Sequence, residues 1–466
     1  MAKATTRRDF LKAAVGMTGA VVLAACAPSA TPTPQPTKPS APAAPPAAAP
    51  TAAAPAPAAA PTTAAAPTLK GAKVHLLRWS SFVPKEDAWF TEVVKKQWAE
   101  PNGVDLVVEF VAPNDVQPKV SVALESGTGP DIVMLMHNQA HLYDAKLLDV
   151  SAIVEKQGKD GGGLFDWCKA YLCPNGKWKA VPFHILANNI VYRTDWLKEI
   201  GESKFPDTFE ELNRVGKLMK QKKSVPYGQA WGHSFSDPGS MAYPVMWAWG
   251  GQEVDESGKK VVINTPETVA SVEFAVQWLK DSMSDEMLGW DDTANNRAYL
   301  AGQLWGTLNG SSIYIEALKN FPDVAKASDH ATNPKGPKGF YHLGPVYSHA
   351  IPTYVKDPKP AEELLAWISA PPNYSTFMDY SGGYSSPPVK MFMDHPVWKK
   401  DPKLTIFRDV SFYRWPGYPG PASAASSEAQ SKYIIVDMFA KAMKGDKPKD
   451  AVAWAEGELK RIYEKA

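Results

Sequence analysis

Apolar positions between residues 74 and 135 alternate between two periods. Val74-His75-Leu76-Leu77-Arg78-Trp79 reads as a strand, residues 87–98 carry apolar side chains at helical spacing, and 104–111 reads as strand again. Asn102-Gly103 supplies the helix stop between them. A second helix is expected over 116–124, ended by Gly127 and Gly129, before a buried strand at 132–135. Strand, helix, strand in this order implies a parallel sheet. Gly127-Thr128-Gly129 is no phosphate loop, because it precedes its strand and no Lys-Ser or Lys-Thr follows. Further on, Thr208 with Glu211 forms a capping box at a helix start.

The first 68 residues do not share this pattern. Ala13 to Val22 is apolar, but the run between Lys12 and Cys26 is about 13 residues, against the roughly 20 that a spanning helix needs. Thr6-Arg7-Arg8-Asp9-Phe10-Leu11-Lys12 resembles a twin-arginine export signal, and Leu23-Ala24-Ala25-Cys26 resembles a lipobox. The resemblance implies a lipid-modified Cys26 that tethers the protein to the outer face of the cytoplasmic membrane, at the cell surface or in the periplasm. Residues 27–68 are almost entirely Ala, Pro, Thr and Ser, with Lys38 the single charge. They cannot offset their ordering entropy by burial and are expected to be a disordered stalk reaching on the order of 100 Å.

Residues 69–466, about 400 in number, exceed what one hydrophobic core serves, so two lobes are expected. The net charge of +1 argues against nucleic acid as a partner and against a basic membrane-binding face. Cys168 and Cys173 stand five apart before Pro174-Asn175-Gly176; they form a small surface-loop disulfide or remain two thiols. Ligands for zinc are too few there, and no cofactor motif is found, so neither metal nor cofactor is expected.

Several segments are specific in their order. Gly127-Thr128-Gly129-Pro130-Asp131-Ile132, Val181-Pro182-Phe183 followed by Asn188 to Leu197, and Pro206-Asp207-Thr208-Phe209-Glu210-Glu211-Leu212 resemble elements of the extracellular solute-binding proteins, family 1, which serve sugar ABC importers. Trp247-Ala248-Trp249-Gly250-Gly251, Asn264-Thr265-Pro266-Glu267 and Leu300 to Gly310 continue that resemblance; Phe209 replaces its usual Trp and Trp305-Gly306 its usual Ala-Met. The resemblance implies a two-lobed α/β fold, each lobe a mostly parallel sheet flanked by helices, joined by two or three crossing segments with the solute between. The first lobe is expected at 69–183 plus 339–372 and the second at 184–338 plus 373–466. It further implies a monomer that closes on a mono- or oligosaccharide and docks on the transmembrane subunits of a permease.

The candidate ligand contacts are mostly aromatic or hydroxylic, since sugars present an apolar C–H face and directional hydroxyls. Trp79, Ser80 and Ser81 follow the first strand, at the carboxyl end where α/β sheets bind ligands. Asp131 either caps a turn or binds hydroxyls. His137 and Asn138 follow the third strand; His137 with His141 lacks the glutamate of a His-Glu-x-x-His metal site. His184 lies on the crossover. Trp231, Trp247 and Trp249 fall in the second lobe, and on a helix the last two diverge by about 200°, so at most one of them faces a cleft. Asn309, Gly310 and Ser311 precede a helix that their side chains either cap or leave free for solute. Gly383 and Tyr384, and Trp415, sit in Gly- and Pro-rich loops that display aromatics.

A rival class is an exported glycoside hydrolase, which needs two carboxylates about 5 to 9.5 Å apart. Asp291-Asp292 and Glu253 with Asp255 are its candidates, but acidic pairs on polar turns are usually solvated. No Gly-x-Ser-x-Gly elbow supports serine hydrolase chemistry. A binding protein without enzymatic activity is the expectation; a receptor for a non-sugar solute is the further alternative.

Overall fold

The computed structural model describes residues 69–464. The twin-arginine and lipobox segment, Cys26 and the stalk at 27–68 lie outside these residues. Among them, no helix is long and apolar enough to cross a membrane.

Among the described residues, nine strands make two sheets. They are β1 (Lys73–Trp79), β2 (Asp105–Val111), β3 (Ile132–Met136), β4 (Val181–Ile185), β5 (Asn189–Arg193), β6 (Tyr227–Gly228), β7 (Gly306–Asn309), β8 (Ser328–Ala331) and β9 (Val346–Ala350). The first sheet has the order β2-β1-β3-β9-β4 and the second β6-β7-β5-β8. In the first, β1 runs parallel to β2 and β3, while β9 is antiparallel to β3 and β4. The second departs from the parallel expectation: β5 is antiparallel to both neighbours and only β6–β7 is a parallel pair. The cause is where these strands begin. β5 and β9 each start where the chain has just crossed from the other lobe, so both run away from the junction that β1, β3 and β4 run toward.

The local signals act as read. The helix after β1 starts at Pro84 and continues to Asn102; its middle, Trp89–Ala99, takes the wider i→i+5 winding, and Gly103 (φ 66°) ends it. Gly127 (φ 70°) ends the helix Pro113–Ser126. Thr208 Oγ1 accepts from Glu211 N at 3.1 Å and caps the helix Phe209–Lys223. The second lobe is built around Trp278, whose indole lies 5.3 to 6.4 Å from the rings of Tyr227, Phe274, Phe209 and Trp231.

Three chain segments meet between the sheets. Leu186 N–H donates to Pro345 O at 3.0 Å, Tyr413 OH to Asn188 O at 3.2 Å, and Arg414 N–H to His342 O at 2.9 Å. The C-terminal part stays on the first lobe longer than expected. Trp89 Nε1 donates to Thr376 Oγ1 at 2.8 Å, Tyr374 OH to Phe183 O at 2.6 Å, Ile185 and Ser386 exchange main-chain hydrogen bonds, and Phe165 N–H reaches Pro388 O at 3.1 Å. Residues 373–388 therefore pack with the first sheet, where the aromatic face of Trp89, Phe183 and Phe377 takes them up.

The disulfide does not form. Cys168 is buried in the helix Asp166–Leu172 with its Sγ 3.5 Å from Pro388 O, whereas Cys173 lies past the helix end, half-exposed; both are free thiols. Five residues across a helical turn leave the two on diverging sides.

A buried carboxyl ties the C-terminal helix to the second lobe. Glu253 is fully buried, Tyr463 OH donates to its Oε1 at 2.7 Å, and the Tyr243 hydroxyl and Gly417 N–H are close by. Burial pushes this carboxyl up to about 7. A carboxyl raised in the folded state contributes stability that is present below its ordinary value of 4.5 and lost as pH climbs to about 7. Wild-type unfolding free energy is expected to fall by roughly 3 kcal/mol through that window from this group alone. Urea unfolding of Glu253→Gln at pH 5 and pH 8 checks it: the variant's fall is smaller than wild type's.

Candidate functional site

The carboxyl edge of the first sheet carries the residues that face the second lobe. Trp79 ends β1 with its indole buried, stacked on Tyr347 of β9 at 4.6 Å and 22° and met edge-on by Phe82 at 5.6 Å. His137 follows β3 and holds its N–H on Val346 O at 2.8 Å. A narrow crevice opens here between Met136–Gln139 and Gln117 on one side and Ser234–Ser236, Gly239, Tyr243, Ser427, Gln430, Ser431, Tyr433 and Val436 on the other. Its free space is about 20 Å³, near the size of one water.

Two features set the crevice apart from ordinary packing. Of the five non-glycine residues with positive φ among the described residues, three line it: His137 (49°), Ser236 (72°) and Tyr433 (53°). Strain of that kind costs about 1–3 kcal/mol per residue and gathers at functional sites. The lining also holds five buried polar atoms without a protein partner: His137 Nδ1, Asn138 Oδ1, Ser234 Oγ, Ser427 Oγ and Gln430 Oε1. No Asp, Glu, Lys or Arg is among the lining residues, and burial drives His137 down to about 3, so the imidazole is neutral. The surface offered is uncharged and has hydrogen bonds to give.

Below the crevice the second lobe contributes a carboxylate hub. Asp237 opens the helix Asp237–Trp249 and accepts from Asn295 Nδ2 at 2.6 Å, Asn309 Nδ2 at 3.1 Å and Asn188 Nδ2 at 3.4 Å. Its own N–H donates to Asp292 Oδ1 at 3.0 Å. Both carboxyls are raised, Asp292 to about 6, by burial in each case and for Asp237 by the neighbouring Asp292 charge as well.

Candidates distant in sequence converge here. Ser311 Oγ donates to Gly383 O at 3.0 Å, and a Cβ on Gly310 would lie 3.0 Å from the Tyr384 ring, so the turn after β7 and the Gly383-Tyr384 loop are one unit. Asn309 belongs to the hub. Ser81 is nearly buried, donating to Glu86 Oε2 at 2.7 Å, while exposed Ser80 donates to Asp87 at 3.0 Å. Asn138 Nδ2 reaches across to Ser426 Oγ at 2.8 Å and Ser423 O at 3.3 Å, the capping box of the helix Ala424–Ser431.

Other candidates stand elsewhere. Asp131 is at the opposite, amino end of β3, where it accepts from His75 N–H at 2.8 Å. Trp231 packs in the second core against Trp278 and Phe439, and Trp249 stacks on Phe274 at 4.4 Å. Trp247 is enclosed by Tyr243, Tyr341 and Tyr418, so neither residue of the pair lines the crevice. His184 lies within β4 of the first sheet, paired with Tyr347 of β9, and is held neutral by burial and by Arg78. Trp415 borders a separate outer groove of about 670 Å³ with His141, Asp144, Asp166 and Lys169. Asp292 and Glu253, expected on solvated turns, are both buried.

Tyr347, Phe235, Asp237 and Gln430 escaped the sequence reading. Asp237 alone had a local signal, an acidic residue followed by Pro238 at a helix start. The others gain significance only from neighbours far away in the chain.

Comparison with known proteins fits this geometry. The maltose-bound MalE3 of T. maritima superposes with a TM-score of 0.72 at 20% identity, covering 84% of this chain and 100% of that one. A sugar transporter protein of Arthrobacter chlorophenolicus with bound laminaribiose gives 0.72 at 16% identity over 84% and 99%. A solute-binding protein of Agrobacterium radiobacter in complex with ribitol gives 0.70 at 19% identity, again over 84% and 99%. A probable ABC transporter-binding protein of Deinococcus radiodurans is 23% identical over 300 residues, 62% of this chain and 69% of its own. The profile of one family matches residues 94–406, which takes in every strand but β1, the first two crossings and the crevice's first-lobe wall. A two-lobed α/β chain with a strained, uncharged crevice between its lobes thus belongs to the bacterial extracellular solute-binding proteins, a family of binders and not of enzymes.

Proposed function

We propose that the protein is the extracytoplasmic receptor of an ABC importer, binding an uncharged carbohydrate between its lobes and passing it unchanged to the transmembrane subunits. The observation that carries this reading is the crevice lining: five unpartnered hydroxyl, amide and imidazole atoms and no charged side chain. Such a surface suits a solute rich in hydroxyls, whereas a peptide, polyamine or organic anion would leave its charge unmatched. The solved relatives with bound maltose, laminaribiose and ribitol support the same class. As a monomer tethered at Cys26 after export by the twin-arginine route, the body would range on its stalk over the outer face of the membrane.

Thermal unfolding against a panel of mono- and oligosaccharides tests the class. A sugar that binds only the folded chain stabilises it by about 2.7 kcal/mol at a hundredfold excess over Kd. Stabilisation by polyamines, peptides or anions, with none by any sugar, would overturn the carbohydrate reading. Anchoring is checked separately: Cys26→Ser is expected to move the protein from the membrane to the soluble extracytoplasmic fraction.

A further inference from the structure

One side chain of the crevice lining, Phe235, spans the two lobes. It stands on the second-lobe loop between Trp231 and the helix Asp237–Trp249, and its ring reaches the first lobe, 5.2 Å from the His137 imidazole and 6.1 Å edge-on from Tyr347. Its N–H faces Asn114 Oδ1, also of the first lobe, at 3.5 Å. Only 4% of the residue is exposed. Protein rings already occupy its surroundings, so as placed it offers no free face on which a solute could stack.

What lies behind Phe235 is not an ordinary core. Tyr347 stacks on Trp79, and the Tyr347 hydroxyl and Trp79 Nε1, both fully buried, have no protein partner. Leaving buried donors unpaired costs free energy that an apolar core avoids. The loop that delivers the phenyl ring is strained as well: Ser236, next to it, has φ 72° and ψ −102°, a conformation that L-residues seldom take. A loop held under strain to place a phenyl ring over unpaired polar atoms is poised to give that place up.

The geometry points to Phe235 as a gate: its six-membered ring sits in the seat of a pyranose ring, and the sugar binds by displacing it and taking up Trp79 Nε1 and Tyr347 OH. This rests on the carbohydrate reading. Phe235 then sets specificity, because only a solute whose hydrogen bonds repay the displaced ring enters. Displacement lowers apparent affinity by the fraction of molecules with the gate open, and removing the ring removes that loss.

Calorimetric titration of the full chain with the sugar panel tests the gate. Phe235→Ala is expected to bind the preferred monosaccharide at least tenfold tighter than wild type, and Phe235→Leu, which keeps a smaller plug, to fall between them. Unchanged or weaker binding in both variants overturns the gate and makes Phe235 a packing residue or a stacking platform. If no sugar binds either wild type or variant, the carbohydrate reading falls and acrylamide quenching decides the gate alone. Quenching gained in F235A and lost again in F235A/W79F supports it; equal quenching in wild type and F235A overturns it.

Discussion

Gly344→Ala is expected to destabilise the protein by about 3 kcal/mol and to weaken solute binding with it. Gly344 lies on the crossing that returns the chain to β9, beside the crossing that leaves β4. A Cβ at this position would overlap the Leu186 carbonyl oxygen and come within 2.8 Å of Tyr413 Cε1, so it collides with the first and third crossings together. The conflict is one of space, since no left-handed φ is recorded for this residue. Backbone can yield only by moving, and movement here breaks the Leu186 N–H to Pro345 O bond that holds the crossings in register. The two lobes then sit differently on each other, and groups on opposite walls of the crevice no longer meet the same solute. Gly457→Ala is the control: it lies inside the helix Pro448–Tyr463 with open space around its Cβ, and alanine there should stabilise by up to about 1 kcal/mol. Urea unfolding and solute titration of the two variants separate a crossing-specific effect from a general cost of replacing glycine.

The first sheet was legible because each of its early strands is a mainly apolar run preceded by a glycine, and β1, β2 and β3 stand where the sequence pattern places them. The second sheet was not, because β6 is two residues long and β7 and β8 four each, too short for a periodic signal to emerge. Its antiparallel pairs follow from where the chain crosses, which no local window contains. For the site, position after a strand was informative: Trp79, His137 and Asn138 all lie at the carboxyl edge. Tryptophan content was not. Trp231 and Trp249 are large apolar side chains that the second core takes up, and nothing local distinguishes them from Trp79. Tyr347 has the opposite fate, since its place is set by β9 pairing with β3, more than 200 residues away in the chain. Glycines beside an aromatic were a mixed guide: Gly310 does allow Tyr384 its approach, whereas Gly232 is packed against the Trp290 main chain.

Asp237→Ala is expected to cost roughly 3 kcal/mol, because it removes a buried acceptor shared by three amides at once. The amides of Asn295, Asn309 and Asn188 come from three separate segments and converge on this one carboxylate, so it fixes the turn after β7 against the start of β5 and the helix that Asp237 opens. Asp237→Asn keeps one carbonyl acceptor and should cost less, which separates loss of the acceptor from loss of the charge. The neighbouring Asp292 gives the pair a pH signature. Its carboxyl is raised from 3.8 to about 6 in the folded chain, mainly by burial, so the stability it contributes is present below about 4 and lost as pH rises toward 6. Asp292→Asn cannot titrate, and its stability should vary less across that window than wild type's. The hub also carries Asn309 and, through Ser236, one strained wall of the crevice; the wall can hold its conformation only while the carboxylate beneath it does. Asp237→Ala is therefore expected to lose the solute-induced rise in unfolding temperature as well as baseline stability, whereas Asp292→Asn, which leaves the three amides paired, should retain most of that rise.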